Sequence, residues 1–300
     1  MSATGVTPID FAQDRVAVAR ALEDLVARKL ADQAGPVAEA IRYALQGEGK
    51  RLRGILVMSA YRAAGGRGDP SALGAAVEVV HAYSLVHDDL PCMDDDDMRR
   101  GRPTVHKVYG VAAATAAGMA MVPLAAKAAD EAAAVLGLDA AGRGAVVRTL
   151  MRASGAGGMI GGQLLDLEGE GLSLDLSQLE RFHRCKTGAL IEAAMRLGGL
   201  AARAPTPMQE AFGRYGAAIG LAFQIADDVL DITATTDQLG KTAGKDVAYR
   251  KSTYPALLGI AGAKARAESL VREACAGLAE QGALTPELEF LARFVVARRS

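Results

Sequence analysis

The chain has 300 residues, half of them hydrophobic, with 4% aromatics and no tryptophan. Its formal net charge of −1 gives no reason to expect a nucleic-acid partner. The three cysteines, Cys92, Cys185 and Cys275, form no C-x-x-C pair, so neither a disulfide framework nor a zinc site is indicated, and a reducing cytoplasm fits best.

Helical periods dominate from the start, and no series of alternating strands is visible. The first residues carry acids and lack the apolar core of a secretory signal. Residues 10–46 place Val16, Val18, Leu22, Leu25, Val26 and Leu30 at helical spacing. Gly49-Lys50-Arg51-Leu52-Arg53 is a glycine-led basic turn entering an apolar helix, a pattern suited to phosphate. GGRGDPSA at 65–72 reads as a turn, and a helix follows from about 71 to 90. Residues 108–137 are rich in Ala and Gly and interrupted by Pro123, Lys127, Asp130 and Glu131. They read as one buried helix or two, not as a stable membrane insertion.

Further on, Ser177–Glu180 and Thr206–Gln209 read as capping boxes, with Pro207 at the favoured first helical position. From Met208, apolar residues recur every three or four positions towards Asp227, and Gly216 and Gly220 mark a close helix approach. Residues 232–254 break the pattern and read as a mobile basic loop. No compositional linker divides the chain. The expectation is one all-α domain over residues 1–300, with about ten or more helices.

Two acidic clusters stand out. HDDLPCMDDDD at 87–97 holds six carboxylates, and DDVLD at 227–231 holds three more. Both follow strongly apolar helices, which puts them near the core rather than on a solvated face. Acids at a helix C-terminus are disfavoured by the dipole, by roughly 0.3–1 kcal/mol each. Crowding them twice points to a bound cation. Asp227 and Asp231 share a helix face, with Asp228 beside them. Asp88 and Asp89 are separated from Asp94 by LPCM, where Pro91 must disturb the helix. With oxygen donors alone, the ion is hard: Mg2+, with Mn2+ as the substitute. Mg2+ usually completes its shell with water and substrate phosphate. Arg99, Arg100 and Arg102, the 49–53 turn, Lys186-Thr187 and the lysines Lys241, Lys245 and Lys251 supply phosphate-binding charge. Together these features imply a diphosphate substrate.

HDDLPCMDDDDMRRGRPTVH, FQIADDVLD, GKRLR, GGQLLDLEGE, KTGALI and GKTAGKDV occur in the order found in the trans-isoprenyl diphosphate synthases, the polyprenyl synthetase family. The chain resembles this family from about Gly49 to Pro255, most closely its bacterial members that make farnesyl diphosphate. The resemblance implies an isoprenoid-synthase-type helical bundle around a deep central cavity, and a homodimer. It implies that Asp88, Asp89 and Asp94 hold Mg2+ from one wall, and Asp227, with Asp228 or Asp231, from the other, with three ions per active site. Arg99, Lys186, Thr187, Gln224 and Lys241 match positions for the allylic diphosphate. Lys50, Arg53, His81 and Arg100, with the Gly49 backbone, match positions for isopentenyl diphosphate, and Lys251 also faces the phosphates. The catalytic set implied is Asp88, Asp89, Arg99, Lys186, Asp227 and Lys241.

Product length in this family depends partly on residues just before the first motif. Helix geometry places Ser84 one turn below Asp88, while the resemblance makes the aromatic Tyr83 the stop at a C15 product. Geranyl and geranylgeranyl diphosphate are the alternative products. A terpene cyclase would not need Lys50, Arg53 and Arg100. A silent regulatory subunit of a heteromeric synthase would be expected to lack metal aspartates, and none is missing.

His87, His106, His183 and Cys92 read as packing or supporting residues, and Gln163 and Asp166 as lining the cavity or tying helices. Gly54 stands where the family usually has proline, which is expected to alter only the helix start. Met119 replaces an acid of the family pattern, and Pro123 is unexpected in its helix, which puts the packing or dimer face there in question.

Overall fold

The 10–46 periodicity belongs to two helices, α1 (Ala12–Lys29) and α2 (Pro36–Leu45). Gly35, at φ 98°, breaks the run, and Pro36 opens the second helix. The computed structural model describes residues 9–47, 49–169, 171–233 and 252–297.

Arg51, in the left-handed region at φ 49°, turns the chain into α3 (Leu52–Ala63), and α4 (Ser71–Asp88) follows. A two-residue hairpin comes next, β1 (Met98–Arg99) against β2 (Arg102–Pro103), antiparallel. Its turn residues Arg100 and Gly101 both have positive φ, as a tight hairpin requires. Two residues per strand are too few to show alternation, so the sequence pattern gave no sign of it. The Ala/Gly-rich stretch divides at Gly110 (φ 84°) into a short α5 (Val105–Tyr109) and a long α6 (Val111–Val135). Then come α7 (Ala140–Ser154), α8 (Met159–Gly169) and α9 (Leu176–His183). A π-helical turn, Arg184–Gly188, joins α9 to α10 (Ala189–Ala201). The last helices are α11 (Thr206–Thr233), α12 (Tyr254–Ala279, kinked at Gly259) and α13 (Pro286–Ala297).

Both capping assignments change. The box at α9 is Asp175 with Gln178, two residues earlier than expected, because Asp175 accepts from Gln178 N while Gln178 Oε1 accepts from Asp175 N. At α11, Gln209 donates instead to the Ala204 carbonyl, at 2.6 Å.

The core is built around α4, whose residues Leu73 to Val86 are buried on nearly every side, as expected of a helix apolar all round. α6 lies along it with Ala114, Ala117, Met121, Ala125 and Ala129 fully buried. Among the described helices, α6 is long and apolar enough to cross a membrane by length and composition. Its inner face is nevertheless committed to the protein core. Its outer face carries Met119, 66% exposed, and Pro123, so these two departures from the family pattern point away from α4.

The close approach read from Gly216 and Gly220 is present. A Cβ on Gly220 would lie 2.9 Å from Gly188 Cα, and one on Gly216 would lie 2.6 Å from Glu192 Cα. The backbone of α11 therefore rests directly on the π turn and on α10.

Candidate active site

Asp88 is the last residue of α4 and Asp89 its C-cap. Pro91 ends the helix, and the chain folds straight back: Asp94 N donates to Asp88 O at 2.9 Å, and Asp95 N to Leu90 O at 3.2 Å. LPCM is thus a closed turn that brings Asp94 beside the first pair. Burial, with Asp94 and Asp89 nearby, pushes the Asp88 carboxyl up to about 6, although Lys186 and Arg99 pull the other way. Burial also raises Asp89, which accepts from Arg99 Nε at 2.6 Å. Arg99 stands on β1, so the hairpin exists to return a guanidinium to the acids before it. The later acids meet cations at the surface: Asp96 lies 3.6 Å from Arg99, and Asp97 lies 2.7 Å from Lys107. Ligand-capable atoms of Asp95, Asp97 and buried His106 also lie within 4.8 Å of one another.

The second cluster ends α11. Asp231 is buried, and its Oδ2 has no hydrogen-bond partner among the described residues. Asp227 is partly buried and engaged. Asp228 Oδ2 accepts the Tyr254 backbone N–H at 2.9 Å. His183, expected to be structural, lies 3.6 Å from the same oxygen.

Lys186 and Thr187 sit on the π turn, a distortion that often marks functional positions. Lys186 pairs with Asp166 of α8 and is close enough to Asp88 to lower its pKa. A Cβ on Gly162 would fall 2.2 Å from Lys186 N, so α8 presses on the turn as closely as α11 does. The π turn therefore links the two acidic walls. Gln163 presents both amide atoms buried without a partner among the described residues, and Gln224 is partly buried one turn before Asp228.

The third group gathers around the 49–53 turn. Arg51 donates to the Gly47 carbonyl at 2.6 Å and lies 4.0 Å from Glu78, so it straps the turn rather than facing out. A Cβ on Gly49 would lie 2.9 Å from Arg100 Nη1, so the bare glycine lets that guanidinium lie against the turn. Arg53 is half-buried, and its buried Nε has no partner among the described residues. Burial lowers its pKa, Glu78 raises it and Arg100 lowers it. Burial and the charges of Arg53, Arg100, Arg99 and Arg51 hold His81 well below 6.5 and keep it neutral. Lys50 is engaged as well.

Glu78 was missed in the sequence. It is buried and accepts from Gly54 N at 3.0 Å. Its place three residues before His81, on one helix face, was the available signal. Gly54 therefore does more than alter a helix start, because a proline there would have no N–H to give Glu78.

Tyr83 is buried, with its ring edge-on to His87 at 5.2 Å. His87 Nε2 lies 3.1 Å from the Thr115 carbonyl, tying α4 to α6. Ser84 spends its hydroxyl on the His81 carbonyl at 2.8 Å. Lys241, Lys245 and Lys251, and most of the expected basic loop, lie outside the described residues.

Known proteins share this sequence and fold. The polyprenyl synthetase family pattern matches residues 35–284. Farnesyl diphosphate synthase of Escherichia coli K12 is 44% identical over 301 residues, covering 97% of this chain and 99% of that protein. The crystal structure of a Zymomonas mobilis FPP/GFPP synthase superposes with a TM-score of 0.81 at 35% identity, over 95% of this chain and 98% of that one. A geranyltransferase of Helicobacter pylori, solved with magnesium and isoprenyl diphosphate, gives a TM-score of 0.75 at 26% identity, over 97% of this chain and 98% of that one. Two acidic walls, a basic turn and a π turn between them, with a family match over most of its length, place this chain in the polyprenyl synthetase family.

Proposed function

We propose that the protein is a prenyltransferase that joins isopentenyl diphosphate to an allylic diphosphate and releases farnesyl diphosphate. The relatives support the reaction class and product. The single observation that carries it is the first acidic wall, where half-buried Asp88 is pushed up to about 6 beside Asp89 and Asp94. A carboxylate so disfavoured as a free anion is suited to a divalent cation, and the Asp231 oxygen, without a partner among the described residues, adds a donor of the same hard type.

Mg2+ fits this donor set, held by Asp88, Asp89 and Asp94 on one wall and by Asp227 and Asp231 on the other. When bound, it would neutralise charge developing on the departing diphosphate. Arg99 and Lys186, with Thr187 and Gln224, bind and orient the allylic diphosphate, so that its C1–O bond breaks beside fixed positive charge. Lys50, Arg53, Arg100 and neutral His81 hold isopentenyl diphosphate by its phosphates. Its double bond then attacks C1, and the proton shed from C2 passes to an oxygen of the released diphosphate. No side chain has to act as a strong base. Lys241 and Lys251 would add charge over the phosphates and help exclude water from the allylic cation. Tyr83 closes the far end of the chain cavity at the C15 product.

A homodimer buries the outer face of α6, where Val111 and Met119 are exposed. The cytoplasm suits the enzyme, since its three cysteines are all free.

The test is incubation of the protein with Mg2+, isopentenyl diphosphate and each of the C5, C10 and C15 allylic diphosphates, followed by sizing of the products. C15 product from the C5 and C10 primers, abolished by EDTA, is expected. Folded protein that elongates no primer overturns the reading. Three Mg2+ per site, and replacement by Mn2+, are checked by metal titration of the diphosphate complex.

A further inference from the structure

Beyond Asp94 the chain carries two exposed acids, Asp95 and Asp97, into the foot of the hairpin. Asp95 stands in the left-handed region at φ 47°, with its N–H on the Leu90 carbonyl at 3.2 Å. Asp97 precedes β1 and Thr104 follows β2. Strand pairing brings them together, and Thr104 N donates to the Asp97 carbonyl at 3.0 Å. His106 comes two residues later, in the first turn of α5, and only 6% of it is exposed. The hairpin thus sets a buried imidazole beside two acids. One ring nitrogen of His106 and one carboxylate oxygen each from Asp95 and Asp97 lie within 4.8 Å of one another.

Exposed acids alone would signify little; the imidazole is what points to a ligand. Its Nδ1 lies 3.1 Å from the hydroxyl of buried Thr104. Its Nε2 is buried and has no partner among the described residues, a costly state for a polar atom unless something binds it. An Nδ1–H donated to Thr104 Oγ1 leaves Nε2 with a bare lone pair. Metal-binding histidines are held in this way, with the second nitrogen fixing the tautomer and the ring direction. Asp97 gives Oδ1 to Lys107 at 2.7 Å and has a second oxygen to offer.

We propose that Asp95, Asp97 and His106 form a second divalent-cation site, separate from the catalytic walls and of the zinc class. One imidazole and two carboxylates, with water in the fourth position, suit Zn2+, whereas Mg2+ takes oxygen donors. The ion does no chemistry on the diphosphates. It ties the end of the LPCM turn to α5 across the foot of the hairpin that carries Arg99, and it competes with the Lys107 ammonium for Asp97. The proposal stands independently of the metal reading of Asp88, Asp89 and Asp94.

The experiment titrates the metal-stripped full chain with Co2+, a spectroscopic probe for Zn2+ sites, under excess Mg2+ that fills the oxygen-only sites. The strong visible absorption of four-coordinate Co2+ is expected, and Zn2+ should displace it. Asp95→Asn, Asp97→Asn and His106→Gln should each weaken Co2+ binding by about tenfold or more, since loss of a residue that merely supports a ligand already costs that much. Asp88→Asn should leave the binding unchanged. Lys107→Gln removes the competing cation and should strengthen binding by about threefold, the scale of an exposed ion pair. If His106→Gln does not fold, Asp95→Asn and Asp97→Asn, at exposed positions, decide. Absence of the four-coordinate spectrum overturns the proposal. So does a spectrum that survives Asp97→Asn, or one that is lost with Asp88→Asn, which would assign the ion to the catalytic wall.

Discussion

The two acidic clusters look alike in the sequence, and the structure treats them differently. The first is made by a broken helix. Pro91 ends α4, the LPCM turn folds Asp94 back to Asp88, and the hairpin returns Arg99 to Asp89. Asp88 and Asp89 are raised by burial and by the acids beside them, with cations around the edge. The second is made by a continuous helix whose acids are sorted by direction. Asp228 accepts a backbone N–H, while Asp231 has a buried oxygen without a partner among the described residues. The first wall holds its acids together by local chain folding, the second by what three other elements press against it. The first should therefore respond mainly to changes in its own charges, and the second to changes in packing some distance away.

The largest effect expected is from the first wall. Asp88→Ala should lower kcat/KM by about 10³-fold with little loss of stability, because it removes both a ligand and an unfavourable buried charge. A loss below tenfold, measured by steady-state product formation, would break the assignment. Arg99→Ala should cost about 100-fold, since it removes one cation from the diphosphate and leaves buried Asp89 without its partner. A melting curve of the same variant should show the stability loss that Asp88→Ala lacks.

The packing side of the comparison is tested at Gly220. Gly220→Leu must push against Gly188 Cα, and is expected to destabilise by about 2 kcal/mol and to displace Lys186. A variant with unchanged melting temperature and full activity would show that α11 need not touch the π turn. A smaller, qualitative change is expected at Tyr83. Tyr83→Ala opens buried space beneath Asp88 and should shift product beyond C15, and an unchanged chromatogram would refute its role as the stop.

The smallest effect concerns pH at the basic turn. His81 in the folded protein is held well below its ordinary 6.5 by burial and four arginines. A depressed base adds stability that is full above its unfolded pKa and is lost as pH falls below it. Stability should thus decline on acidification below about 6.5 and gain nothing from His81 between pH 7 and 8. His81→Gln should flatten that acid-side slope in denaturant titrations, and an unaltered slope would count against a neutral His81.

Much of this was legible before the fold was known. Helical periodicity gave α4, α6 and α11, because each has an apolar pattern longer than any strand. The motif order gave the residues of both walls. Local propensity failed where two neighbouring segments competed, as at α9, where Asp175 and not Ser177 became the cap. It failed also at the hairpin, whose pairing is too short to leave a periodic trace.

What the chain determined by itself was the chemistry available: carboxylates at two helix ends, a glycine-led basic turn, and glycines where helices touch. These follow from residue type and spacing alone. What only tertiary structure decided was which of those groups are free to act. Glu78, unremarkable in the sequence, became a buried counter-charge because α3 crosses α4 at Gly54. Asp228 became an acceptor for α12 because the start of that helix arrives with an N–H that has no partner within it. A hydrogen bond is a short-range, directional contact between groups brought from distant parts of the chain, so spacing along the chain can nominate a carboxylate but cannot say which way it turns.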